Sequence, residues 1–198
     1  MIVPNTIWWP LTGYFLGSVP FGLIFGKLNG KDLRKEGSGN IGATNVARVV
    51  GKKWGLATLI LDVLKGLIPV MGCRITCAGM AIEPTLLAIT GMAAFLGHCF
   101  SIYLGFKGGK GVATAAGVFL GICPWALLGA GIIFAMLVKL FKYVSVGSLS
   151  AAIVAPLIMH FLCPAIPLQI MGWSMAIIIW IKHKDNIKRL VKGEEKRI

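Results

Sequence analysis

Val112-Ala113-Thr114-Ala115-Ala116-Gly117-Val118-Phe119-Leu120-Gly121-Ile122-Cys123-Pro124-Trp125 opens an apolar run that continues to Phe141 and meets no charged residue before Lys139. A helix crosses a bilayer in about 20 apolar residues, so this run is too long for one ordinary span. It is interrupted at Cys123-Pro124, where proline stops one helix and is well suited to start the next. We read two spans joined by a tight outer turn, the first short and rich in small residues that allow close helix packing. One long, tilted, kinked helix is the alternative.

Working outward from that run, five more apolar stretches appear. Span 1 covers about Ile7 to Leu28, with Trp8 and Trp9 placed like interface anchors. Span 2 covers about Trp54 to Gly72, and span 3 runs from Pro84 to about Tyr103. Span 6 covers about Leu149 to Leu162, with Cys163-Pro164 as another outer turn. Span 7 covers Ala165 to Ile181, and a basic tail follows.

Charge chooses between the two readings of 112–141. With seven spans, all of the 20 Lys and Arg except Lys65 and Arg74 fall on one side, in short loops and the tail. Fusing the fourth and fifth spans moves the Lys139–Lys142 loop to the opposite side, and the tail with it if spans 6 and 7 stay a hairpin. The positive-inside rule makes the basic side cytoplasmic. The expectation is an all-α membrane protein of seven transmembrane helices, N-terminus outside and C-terminus cytoplasmic, forming one domain over 1–198.

Composition agrees. Of 198 residues, 57% are hydrophobic and 14% charged, against roughly 25% charged in soluble domains; mean hydropathy is +0.82. The formal charge of +13 sits in loops between spans, so topology accounts for it and no nucleic-acid partner is expected. Met1–Pro10 has no basic n-region, so span 1 is read as a span and not as a cleaved leader. Cys73, Cys77, Cys123 and Cys163 all fall near outer span ends, where a disulfide is chemically possible, in no pairing the sequence fixes; Cys99 lies on the inner side.

The polar motifs share the cytoplasmic side. Gly37-Ser38-Gly39-Asn40-Ile41-Gly42-Ala43-Thr44-Asn45-Val46-Ala47-Arg48 carries three glycines in six residues, which lets the backbone expose successive N–H groups. Ser38, Asn40, Thr44 and Asn45 add short polar groups able to cap a helix starting near Asn45, with Arg48 about one turn inside it. Such a concave set of donors suits a phosphate. The glycines also fit G-x-G-x-x-G, but no strand precedes them, so a dinucleotide fold is rejected. A second loop, Gly105-Phe106-Lys107-Gly108-Gly109-Lys110-Gly111, lacks the spacing and the following Ser or Thr of a nucleotide phosphate loop. Its lysines can still close over an anion as point charges. No nucleotide and no metal cofactor is expected.

Lys142–Ser148 reads as a third polar loop, bringing Ser145. His183 and Asn186 stand i, i+3 at the start of the tail, which is either a cleft-facing pair or a solvated amphipathic segment. His98 beside Cys99 is a poor metal signal and reads as a structural hydrogen-bonding residue. Asp62 and Lys65 lie one turn apart inside span 2, where ionisable groups are functional candidates, and are read as neutralising each other. These features give a phosphate site beside lipid. They do not name a reaction, and an organophosphate transporter remains an alternative, although a transporter favours polar groups through the bundle.

Gly37 to Arg48 resembles the first motif of the bacterial acyl-phosphate-dependent glycerol-3-phosphate acyltransferases. Gly97-His98-Cys99-Phe100 through Phe106-Lys107-Gly108-Gly109-Lys110-Gly111-Val112-Ala113-Thr114 resembles the second, and His183-Lys184-Asp185-Asn186-Ile187-Lys188-Arg189-Leu190 the third. The resemblance implies transfer of a fatty acyl group from acyl phosphate to the 1-hydroxyl of sn-glycerol 3-phosphate, in the bacterial inner membrane, with the site on the cytoplasmic side. Lysophosphatidic acid and phosphate would be the products, in the first step of phospholipid synthesis. On this reading Ser38, Arg48, Lys107, His183 and Asn186 serve catalysis. Gly37, Gly39, Asn40, Gly42, Thr44, Asn45, Gly108, Gly109, Lys110 and Ser145 bind phosphate. The partners expected are the two substrates and membrane lipid, with the chain a monomer. No His has an Asp five residues later, so a His–Asp general base is not evident, and acyl phosphate is already activated.

Overall fold

Proline and glycine set most of the helix ends in the computed structural model, which describes residues 8–197; the Ile7 boundary of span 1 lies outside them. The helices are α1 (Trp8–Ser18), α2 (Phe21–Leu28), α3 (Ala43–Val49), α4 (Lys52–Cys77), α5 (Glu83–Cys99), α6 (Val112–Ile122), α7 (Pro124–Phe141), α8 (Val144–Leu162), α9 (Ile166–Lys182) and α10 (Lys184–Val191), with a 3₁₀ turn at Ile102–Leu104. All seven apolar stretches are helical. Five segments are long and apolar enough to cross a membrane, while Val112–Ile122 and Ile166–Lys182 are shorter. The break at Cys123-Pro124 is present, with Cys123 capping α7 and Pro124 its first residue.

Three details differ from the sequence reading. Span 1 is two helices, because Pro20 supplies no N–H and disfavours helical geometry at Val19. The loop expected at Lys142–Ser148 is mostly helix. Lys142 ends α7 in the left-handed region at φ 64°, α8 begins two residues later, and the Ser148 hydroxyl donates to the Val144 carbonyl at 2.9 Å. Ser and Gly read as loop formers because their side chains compete with or fail to support helix, but here the serine is satisfied inside one. Span 2 also outruns its expected limits, reaching from Lys52 to Cys77.

The chain divides into two compact units, Met1–Val118 and Phe119–Ile198. In the first, α1 packs on α5, and α4 packs on α1, α2, α3 and α5. Lipid tails give helices no hydrophobic reason to associate, so small residues that admit close backbone contact do the work. A Cβ on Gly66 of α4 would strike the Thr114 carbonyl oxygen, and one on Gly117 would strike that of Val63. Trp9 packs against Gly72 and donates its indole N–H to Thr76 Oγ1 at 2.7 Å, so it belongs to helix packing, whereas Trp8 is exposed. In the second unit, α8 lies between α7 and α9, and α7 leaves Leu128, Ile132, Met136 and Leu140 exposed along one side. No disulfide forms among the described residues. Cys73 and Cys77 are one turn apart on the same helix, a poor approach for a bridge.

Candidate active site

The first glycine loop is built around Asn45. Its side chain is buried; Oδ1 accepts the Ser38 N–H at 2.7 Å, and Nδ2 donates to the Leu33 carbonyl at 3.2 Å and the Glu36 carbonyl at 3.1 Å. Gly37 turns with φ 65° against this amide, and any Cβ there would occupy the position of Asn45 Oδ1. Asn45 points into the loop and shapes it. The expected side-chain cap is corrected: the helix Asn45 belongs to, α3, starts at Ala43 after Gly42 with no side-chain cap. Gly39 also has positive φ, at 73°. Thr44 and Arg48 are exposed and Ser38 and Asn40 half-buried, so these four keep polar groups within reach of solvent.

The second loop lies over the end of α5. Gly109 donates its N–H to the His98 carbonyl at 3.0 Å, and Gly108 donates to that of Cys99 at 3.3 Å. Side chains are excluded there: a Cβ on Gly108 would meet the His98 carbonyl oxygen, and one on Gly109 the His98 ring at Nε2. The loop's glycines are therefore needed for close approach. Lys107 is exposed and Lys110 half-buried. Arg34, just ahead of the first loop, donates from Nη2 to the Lys107 carbonyl at 3.2 Å, tying the two loops together within one unit. Neither Arg48 nor Lys107 enters an ion pair among the described residues.

A third cluster forms in the second unit around a residue the sequence did not single out. Glu195 Oε1 accepts from Asn186 Nδ2 at 2.6 Å and from the Ser145 hydroxyl at 2.9 Å, while Oε2 accepts from Arg189 Nε at 2.7 Å. Burial pushes this carboxyl up, but the hydrogen bonds from Asn186, Arg189 and Ser145 outweigh it and hold it below its ordinary value. Only seven acidic residues occur in the chain, and an acid in a strongly basic tail was the one signal that could have found it. Asn186 and His183 are buried, whereas Lys184, Asp185, Lys188 and Lys192 are exposed, so the tail has one covered side and one solvated side. His183 Nδ1 lies 2.8 Å from the Ile179 carbonyl. A carbonyl only accepts, so Nδ1 donates in this contact.

The structure thus brings Ser38 and Asn45 together, joins Lys107 to the first loop through Arg34, and joins Ser145 to Asn186 through Glu195. Fold and loops define an integral membrane protein that presents glycine-rich, cationic segments. A family model described as glycerol-3-phosphate acyltransferase matches residues 7–193. Among curated proteins, the chain is 51% identical to a glycerol-3-phosphate acyltransferase of Trichlorobacter lovleyi, covering 96% of each chain. It is 48% identical to one of Geobacter sulfurreducens, covering 93% of each. Among solved structures it resembles PlsY (YgiH), an integral membrane glycerol 3-phosphate acyltransferase, in its glycerol 3-phosphate form. That likeness has a TM-score of 0.92 and 39% identity over 98% of this chain and 96% of the other. The lysophosphatidic acid form of the same protein gives 0.89 and 38%, over 98% and 95%. The chain belongs to the glycerol-3-phosphate acyltransferase family, and it is an enzyme of that activity.

Proposed function

We propose that this enzyme takes its acyl group from acyl phosphate and transfers it to the 1-hydroxyl of sn-glycerol 3-phosphate. The observation that carries the reading is the pair of glycine loops tied by Arg34 to the Lys107 carbonyl, with the cations of Arg48 and Lys107 left for other anions. Donor and acceptor each bring a phosphate, so the reaction needs at least two anion contacts. Glycine-loop N–H groups and the polar groups of Ser38, Asn40 and Thr44 supplement the two charges.

The hydroxyl oxygen attacks the acyl carbonyl carbon. A C–O ester bond forms, the C–O bond to phosphate breaks, and the departing phosphate takes the hydroxyl proton. Lysophosphatidic acid and inorganic phosphate result, the first step in making a phospholipid. An anhydride donor is activated before it arrives, so holding the reactants in register supplies much of the rate. The glycerol 3-phosphate and lysophosphatidic acid forms of PlsY (YgiH) support the acceptor and product of this scheme.

The topology that goes with it is a single domain over 1–198, monomeric, crossing the bacterial inner membrane seven times with both glycine loops and the tail in the cytoplasm. The deciding assay follows phosphate release from acyl phosphate and glycerol 3-phosphate by pure enzyme in detergent. Absence of release, together with glycerol 3-phosphate uptake into proteoliposomes, would favour transport instead. In intact cells with native thiols removed, a cysteine at Ala78 should react with an impermeant reagent and one at Lys192 should not. The reverse pattern sinks the topology.

A further inference from the structure

Helix α4 carries two buried charged side chains that the transfer reaction, as described, does not use. Asp62 and Lys65 are each 2% exposed, and Nζ meets Oδ1 at 2.8 Å, as the sequence reading expected. Charges at membrane depth are costly, and a buried pair is often replaceable by apolar residues without loss of stability. Mutual neutralisation therefore explains how the pair is tolerated, and leaves open what it is for.

The neighbours of the pair supply the answer. Lys65 Nζ also donates to the Val19 carbonyl at 2.9 Å. That carbonyl sits at the break between α1 and α2, and α2 leads directly into the segment that forms the first glycine loop. Asp62 Oδ1 lies 3.8 Å from His98 Nδ1, beyond hydrogen-bond length but within reach of electrostatic attraction between carboxylate and ring. The opposite edge of the same ring faces Gly109, and the His98 carbonyl receives the Gly109 N–H. One ion pair therefore reaches the root of one loop and the floor of the other, all within the unit Met1–Val118.

We propose that Asp62 and Lys65 are positioning residues for acyl transfer, with Lys65 fixing the α1–α2 break through Val19 and Asp62 fixing the Gly108-Gly109 turn through His98. The proposal rests on the assignment of both glycine loops to phosphate groups. It requires no proton or electron transfer by the pair. Its contribution is geometric, and loops that miss their place by about 1 Å can lose on the order of a hundredfold in rate.

The variant Asp62→Leu/Lys65→Met removes both charges together, so no orphan charge is left to unfold α4. It is purified in detergent and assayed for transfer to glycerol 3-phosphate with whichever activated acyl donor supports the unaltered enzyme. A failure of the acyl-phosphate reading then shows in the unaltered enzyme and does not disturb this comparison. The expected result is an unfolding midpoint at or above that of the unaltered enzyme, with kcat/KM lower by roughly tenfold to a hundredfold. Undiminished kcat/KM overturns the proposal, since the pair would then only neutralise itself. Should the double variant not fold, Asp62→Asn and His98→Gln are compared singly and combined. Because Asp62 acts through His98, the combined loss in kcat/KM should not exceed the worse single loss. Losses that multiply would mark independent sites and overturn the relay equally.

Discussion

Asn45→Ala separates two jobs that one residue in a phosphate loop can have. In the structure the side chain is 1% exposed and spends its polar atoms on the Ser38 N–H and the carbonyls of Leu33 and Glu36. Each such bond contributes a net ~1 kcal/mol, so removing all three should cost about 3 kcal/mol if no water replaces them. The Glu36 carbonyl also accepts the Gly39 N–H, which keeps the cost from rising further. For a chain of this size each kcal/mol lowers the unfolding midpoint by about 2–4 °C, giving an expected drop of roughly 6–12 °C. Activity should fall as well, mainly in kcat, because the turn carrying Ser38 loses its support while Arg48 keeps its charge. Thermal unfolding in detergent and steady-state kinetics measure the two effects. An unchanged midpoint with a raised KM for one phosphate substrate would falsify the scaffold assignment and restore Asn45 as a ligand.

Gly108→Ala places a methyl against the His98 carbonyl oxygen, backbone that cannot swing aside, so kcat/KM should drop on the order of a hundredfold while helix content by circular dichroism stays constant. Arg48→Lys should stay at least roughly tenfold impaired, because a planar fork is lost although charge is kept; Lys107→Arg should retain more activity, and the two kcat/KM values decide. For Glu195, the folded carboxyl titrates below its unfolded counterpart, so its stabilisation is complete above the ordinary value of about 4.3 and is lost as pH falls through the folded value. The gap in unfolding midpoint between the unaltered enzyme and Glu195→Gln should accordingly narrow on acidification, and a gap that widens contradicts the assignment. Chelator should leave phosphate release intact; loss that Mg²⁺ restores would reveal a metal bridge to phosphate.

The helical segments were legible because apolar runs of membrane length have few other uses, and Cys123-Pro124 announced its own break. The glycine loops stood out as polar, donor-rich stretches between such runs. Less legible was the direction in which their side chains point. Asn45 looks like any other donor in the motif until the carbonyls of Leu33 and Glu36 fold back around it. The role of Glu195 was hard to read for a related reason: its partner Ser145 lies fifty positions earlier, and no local pattern encodes a contact of that range. The start of α8 was missed because serine and glycine are weak helix formers, and only the Ser148 bond to the Val144 carbonyl shows how they are accommodated. The acyl chemistry itself came from motif resemblance, since polar loops beside apolar helices identify an anion and not what is done with it.

Helix α7 has a consequence for how this protein can change over generations. Only 11% of its span is buried within the protein, and its partner is α8, so bulk hydropathy is nearly the whole demand on Leu128, Ile132, Met136 and Leu140. Exchanges among large aliphatic residues at these four positions should pass selection unnoticed, while Gly66 or Gly117, pressed against neighbouring backbone, should stay fixed. Across related sequences, α7 is where ancestry should be overwritten fastest, and the α4–α6 contact is where it should be preserved.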